Sequence, residues 1–313
     1  MKVWLVGAGN QAAAYAKVLN HLAVPFNVIG RGQVSALHFK RKTGKPAYLG
    51  GLGKALKELD PPHTAIVATT VDQLFHIAGS LTKAGTKRIL LEKPGALNLN
   101  EITRLHRLSQ KHKNDICIGY NRRFYASTQQ ARQQIHKDGG VTSCVFELTE
   151  WAQSIRSWSA SKEIKNALFL ANSSHVADLA FYLCGKPDDW QGWVDGGLSW
   201  HKRSARFCGG GITERGALFS YHADWEAPGR WGVEICTRRK RYILRPLEKL
   251  FIQTRGANCV REARLATNYD EKFKAGLYLQ TKAFLQSDFR ELCSLEEQVK
   301  MMAIYSKMAG YKN

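Results

Sequence analysis

No stretch of this sequence approaches the roughly 18 consecutive apolar residues of a membrane-spanning segment, so nothing in it reads as crossing a bilayer. Cysteine is sparse and unpatterned. The seven (Cys117, Cys144, Cys184, Cys208, Cys236, Cys259 and Cys293) are scattered and never form a CxxC. That argues against a disulfide framework and a zinc site, so no metal is expected, and the compartment implied is a reducing cytoplasm. Acid is short as well: no Asp or Glu precedes Glu58, and 46 Lys and Arg against 26 Asp and Glu give a formal net charge of +20.

Such a charge favours acidic partners: nucleic acid, an anionic surface or phosphorylated small molecules. The one dense basic run, Arg238 to Arg241, lies between two β-like stretches. It reads first as a solvated hairpin turn, with a nucleic-acid patch as the alternative. No helix-turn-helix, zinc-finger or RNA-binding signature accompanies it, so no nucleic-acid partner is expected. A signal peptide is a second alternative to weigh, since Lys2 precedes Val3 to Val6 and small residues follow at Ala12 to Ala14. Gly7 and Gly9 interrupt that apolar stretch, which is shorter than the roughly 7 to 15 residues such peptides use.

At 313 residues the chain exceeds the usual single-domain size, and two domains are expected. Lys2 to Val6 reads as a strand, followed by Gly7-Ala8-Gly9-Asn10-Gln11-Ala12 and a helical stretch. Glycines there permit a tight turn and a close approach of backbone to a pyrophosphate, with the free N–H groups of a helix start behind them. GxGxxA alone is weak, but between a strand and a helix it has the context a dinucleotide site requires.

Phe26 to Ile29 is the second strand. The acidic residue that would hold the ribose hydroxyls of NAD, about 20 residues past the first glycine, is missing. Gly30-Arg31-Gly32 stands there instead, with Lys40, Arg41 and Lys42 behind it. Arg31 is either a plain turn residue or a partner for a 2′-phosphate; the second reading favours NADP, with NAD still possible. Further strands at Ala65 to Ala68 (ending in Thr69 and Thr70), Arg88 to Leu91 and Ile116 to Tyr120 alternate with helices. This spacing predicts a doubly wound parallel sheet over residues 1–120, with ligands beyond the carboxyl ends of its strands. Glu92-Lys93-Pro94 falls at one such end, so its charges are expected to face a crevice.

From residue 121 to 313 the texture is α+β. Val141 to Glu150 alternates like a strand, and Ala205 to Arg255 carries several β-like runs with turn signals, predicting a largely antiparallel open sheet. Residues 166–185 end in an expected amphipathic helix, and two helical stretches, about 271–287 and 295–311, close the chain. Gly209 to Gly211 has no helix behind it and reads as a strand edge or bulge rather than a phosphate loop.

The combination of GAGNQA (7–12), EKP (92–94), NRRF (121–124) and HVADLAFYLCG (175–185) resembles the glucose-fructose oxidoreductase / inositol dehydrogenase family, Gfo/Idh/MocA. The resemblance implies a Rossmann domain, an α+β domain whose open sheet often forms the oligomer interface, and hydride exchange between a nicotinamide and a small-molecule substrate. That substrate is a sugar, cyclitol or nucleotide sugar. It implies that Lys93 gives or takes the proton beside the nicotinamide, often after a cis Lys-Pro bond, and that the active-site histidine is His175. Gly7, Gly9, Asn10, Gln11, Arg31, Thr69, Thr70, Glu92 and Pro94 are then the expected cofactor contacts.

Hydride transfer to or from a carbinol carbon needs a proton to move at the oxygen. A lysine partly withdrawn from water near an oxidised nicotinamide has its pKa lowered toward working pH. Members of the family commonly carry an aspartate four residues before the histidine; here it is Ala171, with Asn172 beside it as the expected partner. That departure leaves open a cofactor-binding regulatory or non-redox member. Arg122, Arg123, Glu150 and Trp151 are the expected sugar-binding wall, and Asp178 is expected to make a structural hydrogen bond. The reading as a whole expects the ammonium of Lys93 and the imidazole of His175 to meet at one pocket.

Overall fold

Residues buried on both faces form the first strand. In the computed structural model, which describes residues 3–311, β1 (Val3–Val6) has all four residues buried. Lys2, expected to open this strand, lies outside the described residues. There follow α1 (Asn10–His21), β2 (Phe26–Ile29), α2 (Gln33–Thr43), α3 (Gly51–Glu58), β3 (Thr64–Val67), α4 (Leu74–Lys83), β4 (Arg88–Glu92), α5 (Leu99–His112) and β5 (Asp115–Gly119). Strands such as Ile89 to Leu91, fully buried, are continuous apolar runs because helices cover both faces of a parallel sheet. The helices carry their own start signals. Before α5, the Asn98 side chain accepts from the Glu101 amide at 2.9 Å and the Glu101 carboxylate accepts from the Leu97 amide at 3.0 Å, satisfying two otherwise orphaned donors.

The chain packs as two compact units, Met1–Asn121 with Tyr269–Lys300, and Arg122–Asn268 with Met301–Asn313. In the second come α6 (Ala126–Lys137), β6 (Ser143–Glu147), α7 (Ala152–Arg156), α8 (Lys162–Asn166), a π-helical turn (Phe169–Ser173) and α9 (Ser174–Cys184). Strands β7 (Pro187–Asp195), β8 (Arg206–Thr213), β9 (Leu218–Asp224), β10 (Gly232–Cys236), β11 (Lys240–Leu244), β12 (Phe251–Thr254) and β13 (Val260–Glu262) follow. The chain ends through α10 (Asn268–Lys272), α11 (Leu277–Leu285), β14 (Cys293–Ser294) and α12 (Leu295–Met308).

The first sheet has the order β14-β5-β4-β3-β1-β2, parallel except for β14 against β5. Its order reverses at β1, which pairs with both β2 and β3, and a crevice at such a switch point is where doubly wound sheets bind ligands. Val6, Val67 and Leu91 stand in register, so the next row is Gly7, Ala68 and Glu92. Two strand spacings separate β1 from β4, about 10 Å.

The second sheet, β13-β12-β11-β10-β6-β9-β8-β7, is antiparallel apart from the β6–β9 pair. Two local expectations change here, and one holds. The 209–211 glycines are neither edge nor bulge: β8 runs between β7 and β9, and a Cβ at Gly209 would press on the Tyr221 ring and the Gln191 carbonyl. Glycine makes room for an aromatic side chain lying across the strand. Helix α9, packed on β6 and β10, is buried at every position but Tyr182 and so is not amphipathic. The basic run does form a hairpin: Cys236 pairs with Arg241, and the Thr237 hydroxyl accepts from the amides of Arg239 and Lys240.

Candidate functional site

The first unit offers a dinucleotide cradle. Gly7 has φ +122°, its amide donates to the Ile29 carbonyl at 2.9 Å, and a Cβ there would collide with the Ala68 carbonyl oxygen. Only glycine lets β1, β2 and β3 close this tightly at the switch point. Gly9, by contrast, has open space where a Cβ would point, and no acidic residue occupies the first turn of α1. Free N–H groups at a helix start with unobstructed approach fit a pyrophosphate. Asn10, the first residue of the helix, accepts from the Lys42 ammonium at 2.8 Å.

Beside it a hollow of about 610 Å³ is lined by Gly9, Asn10, Gly32, Gln33, Ser35 and His38, among others, and no carboxylate faces it. Arg31, exposed after β2, immediately precedes Gly32 of that lining in the chain. Burial would raise the pKa of Asp72, but hydrogen bonds from Thr70 and Gln73, together with the charge of Arg31, hold it below the usual carboxylate value. Arg31 therefore has one acidic neighbour. Thr70 is exposed and Thr69 half-buried directly after β3 and Ala68.

At the end of β4 the Glu92 carboxylate accepts from Gln11 at 2.7 Å and from the Tyr15 hydroxyl at 2.8 Å, both on one face of α1. Burial, then the Glu92 charge, raises the Tyr15 hydroxyl well above its ordinary pKa, so it remains a donor. Lys274 donates to Gln11 at 2.7 Å, and Gln280 donates to Tyr15 at 3.1 Å. The Pro94 carbonyl accepts from Gln298 at 2.9 Å, the Gly95 amide closes the turn onto Glu92, and the Lys93–Pro94 peptide is cis. Lys93, half-buried, is thus carried on backbone anchored immediately before and after it.

The second unit gathers another group of side chains. The π-helical turn before α9 directs Asn172 and Ser173 at one acceptor, the buried carboxylate of Glu150, just after β6. Asn172 donates to its two oxygens at 3.1 and 3.0 Å, and Ser173 donates at 2.7 Å. His175, in the first turn of α9, is buried and lies 6.1 Å from the Trp231 ring. The two adjacent arginines part company. Arg123 binds Asp178 through Nε at 2.9 Å and Nη2 at 2.6 Å, both side chains almost wholly buried. Arg122 instead lies over the Trp231 ring at 4.7 Å, and burial lowers its pKa while Tyr125, Glu248 and Glu150 oppose the fall.

Arg230, 3.9 Å from Glu150, lies over both Trp231 and Trp151, at 4.5 Å from each ring. The Trp151 indole donates to the Gly229 carbonyl at 3.1 Å. Arg230, Trp231 and Ser173 were not expected from the sequence. Gly229-Arg230-Trp231 reads as an ordinary loop before β10, and no spacing marks it. Tyr15 was legible in principle, being four residues after Gln11 on a helix.

Residues 1–120 match the profile of an oxidoreductase family with an NAD-binding Rossmann fold, Gfo/Idh/MocA. That match covers the N-terminal part alone, and the family is the one the motifs resemble. Over its whole length the fold is that of solved two-domain dehydrogenases. A UDP-N-acetylglucosamine 3-dehydrogenase from Acidithiobacillus ferrooxidans is 18% identical, with TM-score 0.75, over 98% of this chain and 96% of that one. A levoglucosan dehydrogenase, solved with NADH and L-sorbose, is 15% identical, with TM-score 0.81, over 99% and 96%. A dehydrogenase from Chromobacterium violaceum is 14% identical, with TM-score 0.79, over 99% and 94%. Compared by sequence with curated proteins, the chain finds no match.

Proposed function

We propose that this chain is an NADP(H)-dependent oxidoreductase that transfers a hydride between the nicotinamide and a hydroxyl or carbonyl carbon of a sugar, cyclitol or nucleotide sugar. The observation that carries the reading is the anchored Glu92-Lys93-Pro94 turn at the carboxyl end of β4, two strands from the glycine cradle. The dinucleotide, when bound, supplies or takes the hydride. Gly7 and Gly9 admit its pyrophosphate, and Asn10, Gln11, Thr69 and Thr70 border it. The hollow without a carboxylate, with exposed Arg31 next in the chain to its lining residue Gly32, favours a 2′-phosphate over the bare ribose of NAD.

Lys93 gives or takes the proton at the substrate oxygen as the hydride moves, the work of a general acid/base. His175 polarises the same oxygen, Asn172 and Glu150 orient the sugar hydroxyls, and Arg122 and Trp151 complete the wall. Sugar substrates of structurally similar dehydrogenases support this class. The seven free cysteines support a reducing cytoplasm, and exposed Val145, Ile212 and Leu218 on the second sheet support self-association through that face.

Hydride exchange measured with NADPH and with NADH against a panel of sugars tests the reading. Lys93→Ala is expected to abolish turnover while NADPH still binds, and NADPH is expected to be preferred. Turnover by Lys93→Ala at the unsubstituted rate removes that lysine from the chemistry. Tight NADPH binding with no exchange on any sugar or polyol favours a regulatory protein instead.

A further inference from the structure

Two guanidinium groups share one indole in the second unit. Arg122 and Arg230 lie 4.7 and 4.5 Å from the Trp231 ring, whose other neighbour is the His175 ring at 6.1 Å. A guanidinium held over an aromatic ring by cation–π attraction keeps N–H donors that can bind a planar or tetrahedral anion. Most nearby charge is already matched. Arg123 is held bidentate by Asp178, and Arg245 donates to Glu147 at 2.6 Å. Arg122 and Arg230 have Glu150 and Glu248 as acidic neighbours.

Glu150 is poorly placed to neutralise the pair. Its oxygens already accept three hydrogen bonds from Asn172 and Ser173, and Arg230 approaches only to 3.9 Å. Glu248 is exposed, where water screens it. Arg122 Nε is buried and makes no hydrogen bond among the described residues. Donors and positive charge thus remain in excess beside the imidazole assigned to the sugar oxygen.

We propose that Arg122 and Arg230, lying over Trp231, form a subsite that reads an anionic group, carboxylate or phosphate, on the sugar. Arg230 is its specificity-determining residue, since its side chain is 45% exposed. The proposal rests on the reading of His175 as a substrate-side residue. It narrows the substrate from any polyol to an acidic or phosphorylated sugar.

The test is quenching of tryptophan fluorescence in the full chain saturated with NADPH, titrated with glucuronate, glucose 6-phosphate, glucose or inorganic phosphate. At least one anionic sugar is expected to bind about tenfold or more tighter than glucose, as for one charge-assisted hydrogen bond. Which one does so separates carboxylate from phosphate. Arg230→Gln is expected to erase most of that ratio, and Arg230→Lys to restore part of it. Added salt is expected to weaken the anionic sugar more than glucose in the unsubstituted protein, a readout that needs no variant. Glucose binding as tightly as both anionic sugars overturns the proposal. So does an unchanged ratio in folded Arg230→Gln, or inorganic phosphate binding as tightly as glucose 6-phosphate. Hydride exchange on neutral sugars without an anionic preference would overturn this proposal and leave the oxidoreductase reading standing. Selective anionic binding without exchange would do the reverse.

Discussion

The side-chain amide of Asn172 donates to both carboxylate oxygens of Glu150, and the adjacent Ser173 hydroxyl donates to one of them. A carboxylate buried to 1% exposure needs its lone pairs used, and two side chains of a single π-helical turn supply three hydrogen bonds to it. Position 171, where the resemblance calls for an aspartate, is alanine, yet the next two residues grip a carboxylate that arrives from the end of β6. Glu150→Gln keeps the shape and removes the charge facing Arg122 and Arg230. We expect kcat/KM on the responsive sugar to fall by roughly 10- to 100-fold, the effect of about 1.4 to 3 kcal/mol. NADPH affinity should change little, since the substitution lies in the second unit. Unchanged kcat/KM, measured by steady-state kinetics, would remove Glu150 from the site.

Arg123 and Asp178 form a buried bidentate pair whose value shows when one partner is lost. Asp178→Asn leaves a guanidinium without its counter-charge in a nearly water-free site. The expected loss is about 3 to 5 kcal/mol of stability in the second unit. Replacing both together, Arg123→Met with Asp178→Leu, is expected to recover much of that, because two apolar side chains of similar volume pack where the pair stood. Chemical denaturation of the two variants compares them directly; a double variant weaker than Asp178→Asn contradicts the account.

The first sheet was readable because its code is local. Continuous apolar runs, and the glycines of GxGxxA between a strand and a helix, mark elements from a few adjacent residues. The strand over Phe26 to Ile29 appears with those bounds, and the glycine turn opens α1 as its spacing predicts. The pairings in the second unit were not readable, since they join residues far apart in sequence. Nothing near Arg230 in the chain announces Trp151 or Glu150, and nothing near Arg123 shows that it, rather than Arg122, is claimed by Asp178. Helix α9, expected to be amphipathic, differs for the same reason: even its polar Ser174, His175 and Asp178 are buried.

Tyr15 acts on Lys93 through another residue. Its hydroxyl and Gln11 fix the Glu92 carboxylate, which fixes the backbone that carries the lysine. Tyr15→Phe removes one of those donors and leaves Gln280 without that acceptor, costing about 1 to 3 kcal/mol of stability. As a positioning residue it should lower kcat several-fold while NADPH still binds within about twofold, since misplacing a catalytic group by about 1 Å slows chemistry strongly. Tyr15→Phe with undiminished kcat, in a protein shown to be less stable, would reduce the tyrosine to a purely structural role.

Cys117 gives the fold an alkaline limit. Burial, and secondarily the charge of Asp115, pushes its thiol up to about 12, whereas an unfolded cysteine ionises near about 8.5. Between those values the unfolded chain has released the proton and the folded chain has not, so the unfolded state binds fewer protons and stability falls as pH rises. Below about pH 8.5 both states are protonated and the contribution of the buried neutral thiol is fully present. Cys117→Ala should therefore flatten the decline in stability between about pH 9 and 11, though it lowers stability at neutral pH through the lost packing. A thiol reagent at pH 8 supplies the companion measurement. Exposed Cys208 and Cys259 are expected to react in the native protein, while buried Cys117 reacts only as the protein unfolds. Modification of Cys117 at the rate of Cys208 in the folded protein would show that its sulfur is neither shielded nor held neutral.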